Sequence, residues 1–569
     1  MKNLRNFALF ILAAAVISSC GGLNKMVKEA DQVSYKVTPQ VLEMHGGQVA
    51  VTVDVNYPAK YFNKKAVLTL TPVVKYEGGQ TELKPIIVQG EDVTANNKVI
   101  QFTTGGKATV SDKFEYQDAM MKSELFVQIA ADMKGKTAAF PDVKLADGVI
   151  ATANLVEINP KTLTFADKFQ RIVPDSYEAD IKYVINKYDI RTTETKKEEI
   201  TGLKEYIKKA NDDARLDLKG IEISSYASPD GEYDLNDKLA NNREKSAQAY
   251  LNKELKKDKV SATDELFKMM VTPEDWDGFK KLMEASTIQD KDMILRVLSM
   301  YSDPAVRERE IKNISAAFEQ IAEQILPQLR RSKFTVNIDK IGYSDEELMS
   351  IWKTDPSVLG LEELLYTATL FEDFPTKAAI YAKTAEAFPK CLRAHNNLGW
   401  AYFNMGKLDE AEAAFTAAKE LKDTDITNNN LGAVALKKGD LEKAKEYFTA
   451  SLGAGADVNY NLGIINVIQG DYDAAINYFG SEPTFNCSLA KYLKKDDEGA
   501  WRMIVNMPDE SAKRYYLIAV IAASQDKPEV VYDNLRTAVA KDASLKERAK
   551  KDLEFAKLFN EAAFKAIVE

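Results

Sequence analysis

Three tripeptides, Asn397-Leu398-Gly399, Asn430-Leu431-Gly432 and Asn461-Leu462-Gly463, recur at intervals of 33 and 31 residues. Each is followed at fixed offsets by a glycine, an alanine and a phenylalanine: Gly406, Ala411 and Phe415; Gly439, Ala444 and Phe448; Gly470, Ala475 and Phe479. A unit of this length cannot bury its apolar face alone, so consecutive units must stack. Small residues at the first glycine and at the alanine let two antiparallel helices cross closely, and the phenylalanine fills the gap between units. Residues 343–569 are therefore expected to form an all-α solenoid. A degenerate unit precedes the three (361–389), and another follows at 515–543, with Ala519, Val531 and Leu535 at the corresponding places. The tail from Leu545 to Val568 reads as a solvating cap helix.

The pattern resembles the tetratricopeptide repeat (TPR). The resemblance implies a concave groove, lined by the first helix of each unit, that binds segments of other proteins. Carried onto this sequence, the inward positions are Asn396, Trp400 and Asn404; Asn429, Ala433 and Lys437; and Tyr460 and Ile464. An asparagine can bond both the N–H and the C=O of a docked backbone, and Trp400 and Tyr460 are the expected aromatic anchors. The plainer reading of Trp400 is packing against the neighbouring unit. Only Lys437 is basic among these positions, so a free carboxyl terminus is a poor ligand.

A second constellation lies at 221–255. A strand with Ile221 and Ile223 on one face ends in the turn Ser228-Pro229-Asp230-Gly231. A helix follows with apolar residues at Leu239, Ala247, Tyr250, Leu251 and Leu255, and Arg243 interrupts this row. Arg243 is either a stem packed on the apolar face or a grip for an anionic ligand. Tyr226, Gly231, Asn236, Leu239 and Arg243 resemble the OmpA-like domain, which tethers outer-membrane proteins to peptidoglycan. The resemblance implies peptidoglycan contacts at Arg243 and Asn236. The family's ammonium-binding aspartate aligns with Ser228, with Asp230 two residues on. Around this stretch a domain at 158–342 is expected: Pro160 and Pro174 in a linker, a strand near 183–190, a helix from 195 with a Thr195/Glu198 capping box, strands near 266–271 and 334–341, and a helical insertion at about 274–330. Pro304 divides the insertion into at least two helices. The pair Arg330-Arg331 either serves a phosphate or membrane surface or, as the plainer reading, caps a helix dipole.

Residues 31–157 change to a period of two. Val49, Val51, Val53 and Val55 alternate with polar or small residues, and Gly46-Gly47, Gly78-Gly79 and Gly105-Gly106 punctuate the runs. An all-β sandwich of spacer or docking type follows from this spacing, with His45 a turn residue. At the amino end Lys2 and Arg5 precede the apolar run Phe7–Ile17 and then Ser18-Ser19-Cys20. This looks like a lipoprotein signal (1–19) whose Cys20 receives the lipid, with 20–30 as the linker. Outer-membrane anchoring facing the periplasm is the expected location. The whole is thus a multidomain chain: sandwich, central α+β OmpA-like domain, and TPR solenoid.

Charge and motifs exclude much else. A formal charge of -10 argues against nucleic-acid binding, and no phosphate loop, nucleophile elbow, HExxH or CxxC motif occurs. Three cysteines and two histidines leave no disulfide framework. No cofactor and no catalytic residue is expected. The favoured function is a non-catalytic scaffold for a protein partner in an envelope assembly; the alternative is a wall tether.

Overall fold

The computed structural model describes residues 21–260, 264–289, 291–313 and 315–569, so Cys20 lies outside the described residues. Its chain forms two compact units. One joins the described residues up to Phe165 with Asp373–Glu569, and the other is Ala166–Glu372. The second unit is thus inserted, in chain order, between the halves of the first. Relative to the expected boundaries, 158–165 go with the first unit and 343–372 with the second.

In the first unit, two sheets of five and seven strands make the β-rich half. Strand Gln48–Tyr57 buries Val49, Val51, Val53 and Val55 on alternate positions, as its period of two requires. It pairs antiparallel with Ser34–Thr38, Leu42–His45 and Gly106–Glu115. The other sheet is built on Val67–Tyr76 against Ser123–Met133. His45 ends its strand and reaches the repeats, with Nδ1 2.9 Å from the Tyr472 hydroxyl. It is a docking residue and not merely part of a turn.

The repeat half consists of helix pairs: Leu392–Asn404 with Leu408–Leu421, Asp425–Lys437 with Leu441–Thr449, and Ala456–Gln469 with Tyr472–Phe479. Two more follow, Phe485–Leu493 with Asp497–Val505 and Ala512–Ser524 with Pro528–Lys541. The glycines permit the helix crossings. A Cβ on Gly399 would come within 2.6 Å of the Phe415 ring, and one on Gly463 within 2.4 Å of Phe479. The pair at 485–505 lacks the repeat signature because Asn486-Cys487-Ser488 replaces Asn-Leu-Gly. There the Ser488 hydroxyl donates to the Ala500 carbonyl at 2.9 Å. The tail is not a solvating helix. It breaks into three short helical segments, Ser544–Ala549, Leu553–Leu558 and Ala562–Val568, and buries Leu545, Phe555, Phe564 and Val568 in the core that the sandwich and the repeats share.

The second unit carries a four-stranded sheet in the order Ile172–Lys182, Arg331–Ile341, Leu216–Tyr226, Phe267–Thr272. Helices Glu198–Asp212 and Tyr233–Lys257 bury Ile200, Leu203, Ile207, Leu251 and Leu255 against Ile181, Ile221, Ile223, Phe334 and Val336. Its first strand lies upstream of the expected 183–190 and includes Pro174. That strand is an edge, paired only with Arg331–Ile341, so a residue without an N–H is tolerated there. The expected capping box is absent: Thr195 belongs to the preceding turn and donates to Thr192 O, and Lys197 stands at the N-cap. The insertion forms helices between Trp276 and Leu329 around its own core of Phe279, Met283, Ile294, Leu298 and Ile325.

Candidate functional site: an asparagine ladder and an occupied groove

The first helices of four successive repeats place Asn397, Asn430, Asn461 and Asn486 in register. All are buried, three of them fully. Buried amides need partners, and an uncompensated one costs about 1–3 kcal/mol. Here the partner is the chain itself. Residues 157–165 run across the four helices, antiparallel to the order of the repeats. Asn397 Oδ1 accepts the Phe165 N–H at 2.9 Å and its Nδ2 donates to Phe165 O at 2.8 Å. Asn430 holds both groups of Leu163 at 2.7 Å, and Asn461 those of Lys161 at 2.7 and 2.8 Å. Asn486 holds those of Glu157 at 2.8 and 2.9 Å.

Alternate residues of the segment are gripped, which is the signature of an extended chain. A second row reinforces the first. Asn396 and Asn429 donate to Leu163 O and Lys161 O, each at 3.0 Å. Asn430 donates to Asn396 Oδ1 and Asn461 to Asn429 Oδ1, both at 2.9 Å, so the amides form one chain of bonds along the groove. Where the row reaches Tyr460, its hydroxyl donates to Asn159 Oδ1 at 2.8 Å and its ring lies 4.9 Å from Lys161 Nζ. Burial pushes the Tyr460 hydroxyl above its ordinary range, so it stays a donor.

The remaining groove positions do other work. Trp400 packs edge-on against Phe374 at 5.3 Å, with Lys377 near its ring. Asn404 donates to its own helix at Trp400 O, Lys437 is exposed, and Ile464 is fully buried. In the sequence Asn397, Asn430 and Asn461 stand out as repeat markers, and the doubled Asn396-Asn397 and Asn429-Asn430 are the signal of a second role.

In the second unit, Arg243 is 1% exposed. Its Nε donates to Lys187 O at 3.0 Å and its Nη1 to Tyr226 O at 2.8 Å, over the Tyr183 ring. Desolvation pulls its guanidinium down to about 10, leaving it charged at neutral pH. Asn236 donates to Ser228 O and Gly231 O, fixing the turn. The Ser228 hydroxyl bonds Asp230, and Arg330 meets both, at 3.1 Å to Ser228 Oγ and 3.2 Å to Asp230 Oδ2. Arg331 ion-pairs with Asp275 at 2.9 Å and donates to Gln328 O at 3.1 Å. The dibasic pair is therefore divided: Arg330 closes the Ser228–Asp230 turn, and Arg331 alone touches a helix end.

Cys487 is buried, and desolvation pushes its thiol up to about 11, which leaves it inert. His395 bonds Pro389 O. Among the described residues no helix is long and apolar enough to cross a membrane, and no group of three or more His, Cys, Asp or Glu is placed to hold a metal.

No curated protein matches the chain. Among solved structures it is similar to the APC/C hetero-tetramer Cut9-Hcn1 (15% identity over 59% of this chain and 72% of that one, TM-score 0.32). It is also similar to a tetratricopeptide repeat protein from Parabacteroides merdae (15%, 39% and 89%, TM-score 0.29) and to YrrB, described as a TPR protein with an unusual peptide-binding site (16%, 33% and 89%, TM-score 0.22). Family models for the tetratricopeptide repeat match residues 392–425 and 429–482, and the C-terminal part of this chain is a tetratricopeptide repeat array.

Proposed function

We propose that this chain is a non-catalytic protein-binding scaffold of the cell envelope, in which the repeat groove clasps the chain's own segment 157–165. The observation that carries the reading is the paired N–H and C=O contact of each ladder asparagine with alternate residues of that segment. Such contacts recognise backbone and not sequence, so they suit a structural clasp as well as an extended protein ligand. The clasp secures the sandwich to the repeats, and the scaffold presents both to partners. Lipidation at Cys20 anchors it to the outer membrane, facing the periplasm; the basic start, apolar run and Ser-Ser-Cys support this. Photo-crosslinking in intact envelopes tests the scaffold. A discrete protein adduct on the repeat unit is expected, and its absence from membranes that hold the chain overturns the reading. Release of a Cys20→Ser variant into the soluble fraction tests the anchor separately.

A second reading, a peptidoglycan tether, has one observation in its favour. Asp230 brings a carboxylate to Ser228, where the OmpA-like resemblance calls for an acid. Arg330 already neutralises that carboxylate, and Arg243 donates to two backbone carbonyls. The scaffold is therefore preferred.

A further inference from the structure

The ladder uses only one edge of the clasped segment. In an extended chain the N–H and C=O of one residue point to one side and those of the next to the other. Glu157, Lys161, Leu163 and Phe165 are bonded inward through their backbone, and between them Asn159 meets Tyr460 through its side chain. Ile158, Pro160, Thr162 and Thr164 therefore present the opposite edge. Among the described residues, no backbone N–H or C=O of Ile158, Thr162 or Thr164 is hydrogen-bonded. Thr164 and Ile158 are exposed, the latter at 41%, while Thr162 is half-buried and Pro160 is buried. A strand that is fixed along one edge and open along the other is a template for a further strand. Pro160 lacks a donor but keeps its carbonyl, as edge strands allow.

We infer that the segment's outer edge, Ile158–Thr164, is a docking site for an extended peptide of a partner protein, which adds to it as a β-strand. The occupant is argued from the donors and acceptors themselves. They repeat at the strand period and continue the ladder already built, and only an extended backbone matches them. Addition wins over displacement on magnitudes. The clasped segment is covalently tethered, so a free peptide competing for the asparagines faces an effective concentration on the order of millimolar. A peptide that adds to the outer edge meets no such competitor. The inference rests on the clasp proposed above, and the two fail in different ways.

Amide hydrogen exchange on the full chain separates them. The probe is a lysine-flanked peptide of alternating threonine and valine at millimolar concentration. The control is the same peptide N-methylated at alternate residues. Without probe, the amides of Lys161, Leu163 and Phe165 should be protected and those of Thr162 and Thr164 should exchange freely. With probe, exchange at Thr162 and Thr164 should slow about tenfold or more while the other three stay unchanged. The methylated control should do nothing. A Thr162→Pro/Thr164→Pro variant removes only unbonded N–H groups, so it should keep Lys161, Leu163 and Phe165 protected while the amides of the probe peptide, protected by the parent chain, exchange freely. Unchanged exchange at Thr162 and Thr164 under saturating probe overturns the inference, as does exposure of Lys161, Leu163 and Phe165, which would mean displacement. Concentration-dependent protection without probe assigns the edge to a second copy of this chain and also overturns it. Free exchange at Lys161, Leu163 and Phe165 from the start would instead overturn the clasp.

Discussion

The asparagine ladder of the repeat unit and the Arg243 turn of the inserted unit solve one problem in two ways. Each must fix an irregular stretch of backbone in a buried setting. The ladder uses neutral amides, which carry donors and an acceptor and so satisfy both groups of each clasped residue. Arg243 carries donors only, answers two carbonyls, and keeps a desolvated charge beside them. The amide solution can be repeated along a groove because no charge accumulates. The arginine solution serves a single knot, joining a loop, a strand end and a helix.

Breaking the ladder should have the largest effect. Asn397, Asn430 and Asn461 make six bonds to the segment. At about 0.5–1.5 kcal/mol net per bond, the triple change to alanine removes roughly 3–9 kcal/mol of clasp free energy, less where neighbours relax. Rapid proteolysis within 157–165, with helical circular dichroism retained, is the expected result. A protected segment in that variant would deny the clasp.

Arg243→Ala should come next, destabilising the inserted unit by roughly 3–5 kcal/mol. It leaves a cavity beside Tyr183 and two unanswered carbonyls. Arg243→Lys should recover only part of this, since one ammonium cannot reproduce the two-pronged contact. Urea unfolding followed by probes in each unit should move the inserted unit alone.

How much of this was legible depended on how local the signal was. Gly399 and Phe415 are 16 residues apart and announce their contact by repetition. The valines of Gln48–Tyr57 announce theirs by alternation. The clasp joins Phe165 to Asn397, 232 residues away, and Glu157 to Asn486, 329 away, through bonds to backbone. Backbone recognition leaves no side-chain pattern on the segment, so 158–165 looked like a linker. Asn396, Asn429 and Tyr460 could be placed at the groove from the repeat phase. Their occupant could not. Arg243 was legible as an anomaly in an apolar row, but the carbonyls that receive it carry no mark in the sequence.

A titratable contact sharpens the contrast between neutral and charged solutions. Glu554 accepts from the Thr152 hydroxyl at 2.5 Å and from the Tyr492 hydroxyl at 2.8 Å, where the sandwich meets the repeats. Burial, with Asp552 beside it, pushes its carboxyl up to about 7. A raised carboxyl binds its proton more tightly when folded. The stability it lends is full below the ordinary carboxylate range and is lost as pH rises through about 7, roughly 3 kcal/mol in all. Glu554→Gln should remove that part of the pH dependence, read as a smaller fall in melting temperature from about pH 5 to about pH 8. An unchanged slope would show that Asp552 carries the titration.

The smallest effect should come from Asp230, and it bears on whether the arginine knot binds anything. Asp230 and Arg330 are 16% and 10% exposed at their side chains and 3.2 Å apart. Asp230→Asn leaves the buried Arg330 guanidinium without its counter-charge but keeps an acceptor for its hydrogen bond, so it should destabilise the inserted unit by about 1–3 kcal/mol. The neutral amide still accepts from Ser228 or Arg330, so the turn should keep its shape. If the carboxylate is only a structural partner, sedimentation with purified sacculi should be weak for the parent chain and the same for the variant. If it instead meets the ammonium of a wall peptide, removing its charge forfeits a contact of about 1.5–3 kcal/mol, one to two decades in affinity. Tight sedimentation that Asp230→Asn abolishes would turn the knot into a ligand site and restore the tether. Equal, weak sedimentation of both chains would make the Asp230–Arg330 contact a structural one.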